Sequence, residues 1–181
     1  MVIVYTDRTL SGPRPLATVA AEAVAGGADR VVLREKDLPP DARGALAGEL
    51  SERIGDRLLV SDVDGAHRDA LGRVVGRACH RAADVVAATR LAYVTVSPVF
   101  PTASKPGYGP ALGLSTLRNW CAACAVPVLA LGGVDSPERA GACVRAGAAG
   151  VAVMGAVMTA ADPAAVVRAM VEAVCANLRW H

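Results

Sequence analysis

The chain has 181 residues, of which 53% are apolar and 3% aromatic, and its formal net charge is +2. This length argues for a single domain, residues 1–181, with one core built mainly from Ala, Val and Leu. Scattered basic residues and few aromatics disfavour nucleic-acid binding, no apolar run could cross a bilayer, and the first ten residues do not resemble a signal peptide. We therefore expect a cytoplasmic protein that binds neither nucleic acid nor membrane.

Short apolar runs alternate with amphipathic segments along the chain, in the pattern of strands and helices. The predicted strands span residues 2–7, 30–36, 57–62, 74–80, 93–99, 126–131 and 150–157. The predicted helices span residues 13–27, 39–55, 83–91, 114–124, 136–147 and 162–178. Ser136 and Asp162 are expected N-caps, each followed by proline in the first turn.

Continuous apolar strands separated by helices indicate a parallel sheet covered by helices. Residues 63–73 interrupt the alternation, because a helix-length connection is missing there, although residues 65–67 could form an eighth strand. We predict a (β/α)8 TIM barrel, a short variant with an abbreviated region around residues 63–73. The alternative is an open doubly wound sheet, but its Gly-x-Gly-x-x-Gly turn is absent after the first strand.

The chain contains five cysteines, an odd number that argues against a disulfide framework in a cytoplasmic protein. Cys121 and Cys124 form a CxxC motif late in a predicted helix, without a second pair of metal ligands. Buried apolar cysteines are favoured over redox or metal chemistry.

Two late turns predict a phosphate site. Gly132-Gly133 follows one predicted strand, and Met154-Gly155 lies near the end of the next. Glycines let backbone N–H groups approach an anion, and the last two strand–helix loops of a TIM barrel commonly bind phosphate. The alternative is that Gly132-Gly133 only makes a tight turn.

Three cations are expected around the same mouth of the barrel. Arg34 and Lys36 are alternate residues leaving one strand, so they point the same way, and Lys105 lies in a later proline-rich loop. Cations grouped in this way suit a phosphorylated substrate. Arg34 could instead pair with Asp7 or Asp62.

His80 ends a predicted strand and is therefore expected in the site, where a histidine can exchange protons near neutral pH. A purely structural hydrogen bond is the alternative. His67 lies in the irregular segment and receives no assignment.

Five segments carry a family resemblance, in chain order: residues 4–7 (VYTD), 33–38 (LREKDL), 98–105 (PVFPTASK), 131–134 (LGGV) and 150–154 (GVAVM). Together they resemble thiamine phosphate synthase and its relative, the TenI-type thiazole tautomerase, over nearly the whole chain except about residues 63–73. The resemblance implies a TIM barrel that acts in thiamine biosynthesis on a small phosphorylated thiazole. Because such relatives commonly form oligomers, it also implies a homo-oligomer.

For a synthase, which joins a pyrimidine diphosphate to the thiazole phosphate, the resemblance assigns three groups of residues. The diphosphate would be held by Arg34, Lys36 and Lys105. The thiazole phosphate would be held by Thr102, Ser104, Gly132, Gly133, Met154 and Gly155. One ligand of a Mg²⁺ cofactor would be Asp62.

Several positions depart from the synthase pattern. Val32, Ser61 and Ala78 stand where the synthase pattern has a glutamine, an asparagine and a small hydroxyl residue, and Asp69 is at best a displaced second metal ligand. These departures favour the tautomerase branch, in which His80 moves a proton and no cofactor is needed. The alternatives are the Mg²⁺-dependent synthase and a regulator that binds thiazole or thiamine phosphate without catalysis.

Overall fold

Eight strands close a barrel in the computed structural model of the protein, which describes residues 1–102 and 110–178. The strands are β1 (Val2–Tyr5), β2 (Arg30–Leu33), β3 (Leu58–Ser61), β4 (Ala66–Arg68), β5 (Val74–Cys79), β6 (Tyr93–Val96), β7 (Val128–Leu131) and β8 (Gly150–Val153). The helices are α1 (Leu16–Ala25), α2 (Pro40–Ile54), α3 (Ala82–Val86), α4 (Gly113–Ala123), α5 (Pro137–Arg145), α6 (Gly155–Met158) and α7 (Pro163–Leu178). The predicted TIM barrel is confirmed. No helix in the described ranges is long and apolar enough to span a bilayer.

The predicted caps form, while several predicted strands and the helix predicted over residues 83–91 are too long. Ser136 accepts a hydrogen bond from the backbone N–H of Arg139, and Asp162 accepts one from Ala165. The strand predicted over residues 150–157 ends at Val153 instead. After it the backbone N–H groups of Val157 and Met158 donate to the carbonyl of Met154, which winds residues 155–158 into the short helix α6.

Strand β4 runs antiparallel to both of its neighbours, unlike the other strands of the barrel. All of residues 62–73 are described, and none of them is helical. Only residues 62–65 separate β3 from β4, whereas a parallel return needs a crossover of about a dozen residues or more. The eighth strand expected at residues 65–67 therefore exists, but its direction is reversed and two tight turns replace the covering helices.

Three Arg–Asp pairs accompany this hairpin. Arg68 pairs with Asp62, Arg77 with Asp64 at 3.4 Å, and Arg73 with Asp69 at 2.7 Å. These side chains are mostly solvent-exposed, and each such pair contributes little stability by itself. Charged pairs thus lie along this stretch of the barrel wall, where the connections on either side of β4 contain no helix.

The barrel interior holds a buried polar network. His67 of β4 lies between two tyrosines: its Nε2 is 2.9 Å from the Tyr5 hydroxyl and its Nδ1 is 2.8 Å from the Tyr93 hydroxyl. The Tyr5 hydroxyl is also 3.2 Å from Thr95 Oγ1. Gly76 makes room for Tyr93, because a Cβ at position 76 would lie 2.4 Å from the tyrosine ring. A fully hydrogen-bonded histidine thus fixes the position of β4.

This network predicts acid sensitivity. Burial, and to a lesser extent the charges of Lys36 and Arg77, lowers the pKa of His67 from 6.5 to about 4. The unfolded chain therefore binds one more proton than the folded chain between these values. We expect the free energy of unfolding to fall by about 2 to 3 kcal/mol as the pH drops from 6.5 to about 4. Urea unfolding of wild type and His67→Gln across this range measures it, and equal pH slopes for the two would contradict it.

Candidate functional site

Two adjoining cavities open at the carboxyl ends of the strands, where TIM barrels place their active sites. Their volumes are about 510 Å³ and about 460 Å³, which suit small-molecule ligands. Tyr5, Arg34, Ser97 and Leu131 line both of them. Ligands in the two cavities would therefore lie side by side.

The first cavity collects the described residues of the predicted phosphate site, which are Thr102, Gly132, Gly133, Met154 and Gly155. Ser104 lies outside the described residues. A Cβ at Gly155 would meet no atom within 4 Å, so the space beside this residue is open. The structure brings the two late turns together around one cavity, and phosphate binding there stays a prediction.

The turn at Gly132 and Gly133 packs directly on the loop that follows β6. A Cβ at Gly132 would lie 2.7 Å from Cα of Pro98, and one at Gly133 would lie 2.6 Å from the carbonyl oxygen of Pro101. Both glycines have positive φ, +90° and +66°, which other residues rarely adopt. Only glycine allows this close approach of two backbones.

Arg139 of α5 braces the same turn. Its Nη1 donates to the carbonyl oxygen of Gly133 at 2.8 Å and to Oδ2 of Asp135 at 2.8 Å. Its guanidinium carbon lies 5.0 Å from the centroid of the Phe100 ring. Arg139 thus joins the turn after β7 to the loop after β6, and nothing in its helical sequence context indicated this role.

The second cavity is the cationic one. Arg34, Lys36 and His80 line it, as predicted from their positions at strand ends, while Lys105 lies outside the described residues. Burial, followed by the nearby Arg34 charge, lowers the pKa of Lys36. The Lys36 ammonium donates to the carbonyl oxygen of Val63 at 3.4 Å, so it reaches across to the turn before β4.

The expected alternative partners of Arg34 are engaged elsewhere. The Asp7 carboxylate accepts hydrogen bonds from the backbone and hydroxyl of Thr9, and Asp62 pairs with Arg68. Within the described part of the chain, no ion pair involves Arg34. Its guanidinium is therefore available at the boundary between the cavities.

The aspartates that the resemblance implies as metal ligands do not line the cavities. Asp62, the implied metal ligand, lines neither cavity and is paired with Arg68, and Asp69 pairs with Arg73 in the turn at the opposite end of β4. Asp64 does line the second cavity, and a hydrogen bond from the Ala66 N–H lowers its pKa. Among the described residues, no three His, Cys, Asp or Glu side chains group to hold a metal ion.

His80 Nδ1 lies 3.2 Å from both the carbonyl oxygen and the hydroxyl of Ser97. These contacts orient its ring beside the second cavity, and a catalytic role for it stays a prediction. The sequence interpretation gave no role to Tyr5, Ser97 or Asp64. For Tyr5 and Ser97 the available signal was a position at a strand end, whereas Asp64 depends on the unforeseen turn before β4.

Cys121 and Cys124 are partly buried, and the Cys124 thiol lies 3.4 Å from the carbonyl oxygen of Val85. Burial raises the pKa of Cys121 to about 11. This environment agrees with the packing interpretation of the CxxC motif and does not favour a reactive thiolate.

Comparison with known proteins gives a consistent result. The family model described as thiamine monophosphate synthase matches residues 62–157. A thiamine-phosphate synthase of Roseiflexus castenholzii is 36% identical, with 94% of this chain and 86% of the relative covered. A putative thiamine-phosphate synthase of Geobacter sulfurreducens is 36% identical, with 91% and 90% covered. The alignment with the first relative spans 198 positions, more than this chain possesses, so that relative has residues absent here.

Solved structures support the fold. Thiamine phosphate pyrophosphorylase from Pyrococcus furiosus superposes with a TM-score of 0.80 at 24% identity, covering 98% of this chain and 96% of that one. The protein of the same name from Bacteroides thetaiotaomicron gives 0.69 at 19% identity, with 99% of each chain covered.

The expectation of a thiazole tautomerase is wrong, because relatives that match nearly the whole chain are named as synthases. That expectation rested on the apolar or small residues at Val32, Ser61 and Ala78. Ser61 and Ala78 do line the second cavity, but Val32 is buried inside the barrel and lines neither cavity. Asp64, which was not predicted, also lines the second cavity, because the turn before β4 brings it there.

Proposed function

This chain belongs to the thiamine monophosphate synthase family, and we propose that it joins a pyrimidine diphosphate to a thiazole phosphate, forming thiamine phosphate and pyrophosphate. The observation that carries the proposal is the pair of adjoining cavities with Arg34 in the wall of both. A two-substrate condensation needs two neighbouring ligand sites, and a diphosphate leaving group needs cations. The expected cytoplasmic location and homo-oligomeric assembly stay predictions.

The first cavity suits the thiazole phosphate. Gly132 and Gly133 line the cavity, and the open space at Gly155 lets an anion approach the start of α6. Thr102 offers a hydroxyl in the same wall, and we propose that Ser104 adds a second. Neutral donors are sufficient for a phosphate that binds but does not react.

The second cavity suits the pyrimidine diphosphate. We propose that Arg34 and Lys36 hold the diphosphate and that Lys105 completes the set. In the reaction, the bond between the pyrimidine methylene carbon and the diphosphate oxygen breaks, and that carbon bonds to the thiazole nitrogen. The electron pair leaves with pyrophosphate, so cations fixed beside the departing oxygens stabilise the charge that develops there.

A Mg²⁺ ion fits this wall if the diphosphate supplies most of its ligands, since Mg²⁺ is often bound through one or two carboxylates plus substrate phosphates. Asp64 is the carboxylate lining the cavity beside Lys36, and we propose it as the protein ligand. Asp62, which the resemblance implies, lines neither cavity and has one carboxylate oxygen engaged by Arg68. When bound, the ion would neutralise charge on the leaving pyrophosphate.

The direct test supplies the purified protein with the pyrimidine diphosphate, thiazole phosphate and Mg²⁺. We expect thiamine phosphate, measured as fluorescent thiochrome after oxidation, and stoichiometric pyrophosphate. Reactions that omit either substrate serve as controls. If both substrates bind but no thiamine phosphate forms, the proposal is wrong.

Asp64→Asn tests the metal assignment. It removes the charge but keeps the size of the side chain, so we expect the Mg²⁺ concentration for half-maximal activity to rise roughly tenfold or more. Asp62→Asn is the matched comparison and should change it much less. The larger effect of Asp64→Asn is checked independently by measuring Mn²⁺ binding to both variants in the presence of pyrophosphate, with electron paramagnetic resonance as the readout. A larger effect for Asp62→Asn would assign the ligand to Asp62.

A further inference from the structure

We infer that Arg8 is a positioning residue that holds Arg34 and Lys36 toward the second cavity by anchoring the residues between and after them. This inference rests on the proposed function, because it takes the diphosphate as the ligand of these two cations. Arg8 itself lines neither cavity. It follows β1, whereas its partners follow β2.

The first contact is with a buried carboxylate. The Glu35 side chain is only 2% exposed, and a buried charge is costly unless it is paired. Arg8 supplies partners to both oxygens: its backbone N–H donates to Oε1 at 3.1 Å and its Nη1 to Oε2 at 3.0 Å. One residue therefore holds Glu35 by main chain and side chain together.

The second contact of Arg8 is with Asp37, two residues after Glu35. Arg8 Nη1 donates to Oδ1 of Asp37 at 2.8 Å, and Nη2 pairs with Oδ2 of the same carboxylate. These hydrogen bonds lower the pKa of Asp37. A planar guanidinium can make this fork, whereas a lysine ammonium cannot.

Side chains alternate in direction along residues 34–37, and this alternation connects the contacts of Arg8 to the second cavity. Residues 35 and 37 face Arg8, while Arg34 and Lys36 face the cavity. Strand β2 ends at Leu33, so sheet pairing no longer supports this segment. The Arg34 N–H donates to Thr6 Oγ1 at 3.0 Å, which makes the loop after β1 the support for the loop after β2.

An anchor is needed because the two cations repel each other. Both side chains line the second cavity, and the Arg34 charge is, after burial, a cause of the lowered pKa of Lys36. Without Arg8, the segment would relax and separate the cations, and the repulsion between Glu35 and Asp37 would act in the same direction. Pre-organisation for a dianionic group would be lost.

The test uses Arg8→Gln with two readouts. Calorimetric titration with inorganic pyrophosphate and Mg²⁺ should show affinity reduced by about 10- to 100-fold, as expected when binding groups are displaced. In the synthase assay, KM for the pyrimidine diphosphate should rise by a similar factor, while KM for the thiazole phosphate should stay within about twofold. Arg8→Lys, which cannot form the fork, should fall between Arg8→Gln and wild type.

The matched control is Arg73→Gln. It removes an exposed arginine that also holds an aspartate through two nitrogens, but in the turn at the other end of β4. If Arg8→Gln does not fold, Asp37→Asn serves instead. It weakens the exposed pair between Arg8 and residue 37 and should weaken pyrophosphate binding about two- to threefold.

Different results would refute the proposed synthase function and the positioning role of Arg8. Pyrophosphate binding without thiamine phosphate formation would refute the proposed function and leave the role of Arg8 standing. Wild-type pyrophosphate affinity in Arg8→Gln would overturn that role, as would a lack of pyrophosphate binding by the wild type. Equal increases in KM for both substrates would also overturn it, because they would indicate a general loss of structure.

Discussion

Arg34→Met is expected to lower kcat/KM for thiamine phosphate formation by about 100- to 1000-fold, the usual effect of removing one fixed donor from developing negative charge. Arg34 lines the second cavity beside Lys36 and also borders the first, so its guanidinium can stay on the leaving diphosphate while the thiazole approaches. Methionine keeps the aliphatic length of the side chain while removing its charge. Arg34→Lys should recover only part of the loss, because lysine cannot make two parallel hydrogen bonds to a phosphate.

The control for this prediction lies at the other end of the strand that precedes Arg34. Arg30 begins β2, at the end opposite the cavities, and donates to the backbone carbonyl of Asp29. Arg30→Met should leave kcat/KM within about threefold of wild type. Steady-state kinetics with each substrate varied, alongside circular dichroism of both variants, measures the difference. Comparable losses in the two variants would refute a site role for Arg34.

Gly133→Ala is expected to damage both stability and thiazole phosphate binding. The added Cβ would lie 2.6 Å from the carbonyl oxygen of Pro101, and φ of +66° is unfavourable for alanine. The left-handed backbone alone costs about 1 to 2 kcal/mol. Because the clash must displace the turn from the loop after β6, we expect a total loss of about 3 kcal/mol or more. Displaced donors should also raise KM for the thiazole phosphate by at least about tenfold.

Gly48→Ala separates this effect from glycine substitution in general. Gly48 is exposed on α2, and a Cβ there would meet no atom within 4 Å. Alanine favours helix over glycine, so this variant should be more stable by about 0.5 to 1 kcal/mol, with unchanged kinetics. Thermal unfolding and substrate titrations of both variants provide the comparison. A Gly133→Ala protein with wild-type stability and KM would show that the turn needs no glycine.

Much of the barrel could be predicted because its signals are local. Alternating apolar runs, prolines at the first helical turn and the caps at Ser136 and Asp162 all act within a few residues. The antiparallel direction of β4 follows from its short connection to β3, but the hydrogen bonds to β3 and β5 that define this strand lie outside such local signals. His67 shows the same limit: its partners Tyr5 and Tyr93 are 62 and 26 residues away in the chain.

The same distinction between local and long-range signals applies to the residues of the site. Arg34 and Lys36 could be placed from strand alternation, and the glycine turns from their positions near strand ends. Asp64 could not, since it reaches the cavity only through the reversed hairpin. The tautomerase expectation considered Val32, Ser61 and Ala78 one by one, without the carboxylate that the turn before β4 brings to the second cavity.

The reversed β4 also changes how the chain can fold. In an all-parallel barrel, each pairing between neighbouring strands must wait until a whole crossover has been closed into a loop. Here β3, β4 and β5 pair through turns of a few residues, which lowers the average sequence separation of their contacts. Short loops cost less entropy to close, and hairpins form in about 1 to 10 µs. The part of the barrel that lost its helices is therefore the part best suited to pair first, giving the slower parallel strands an edge on which to assemble.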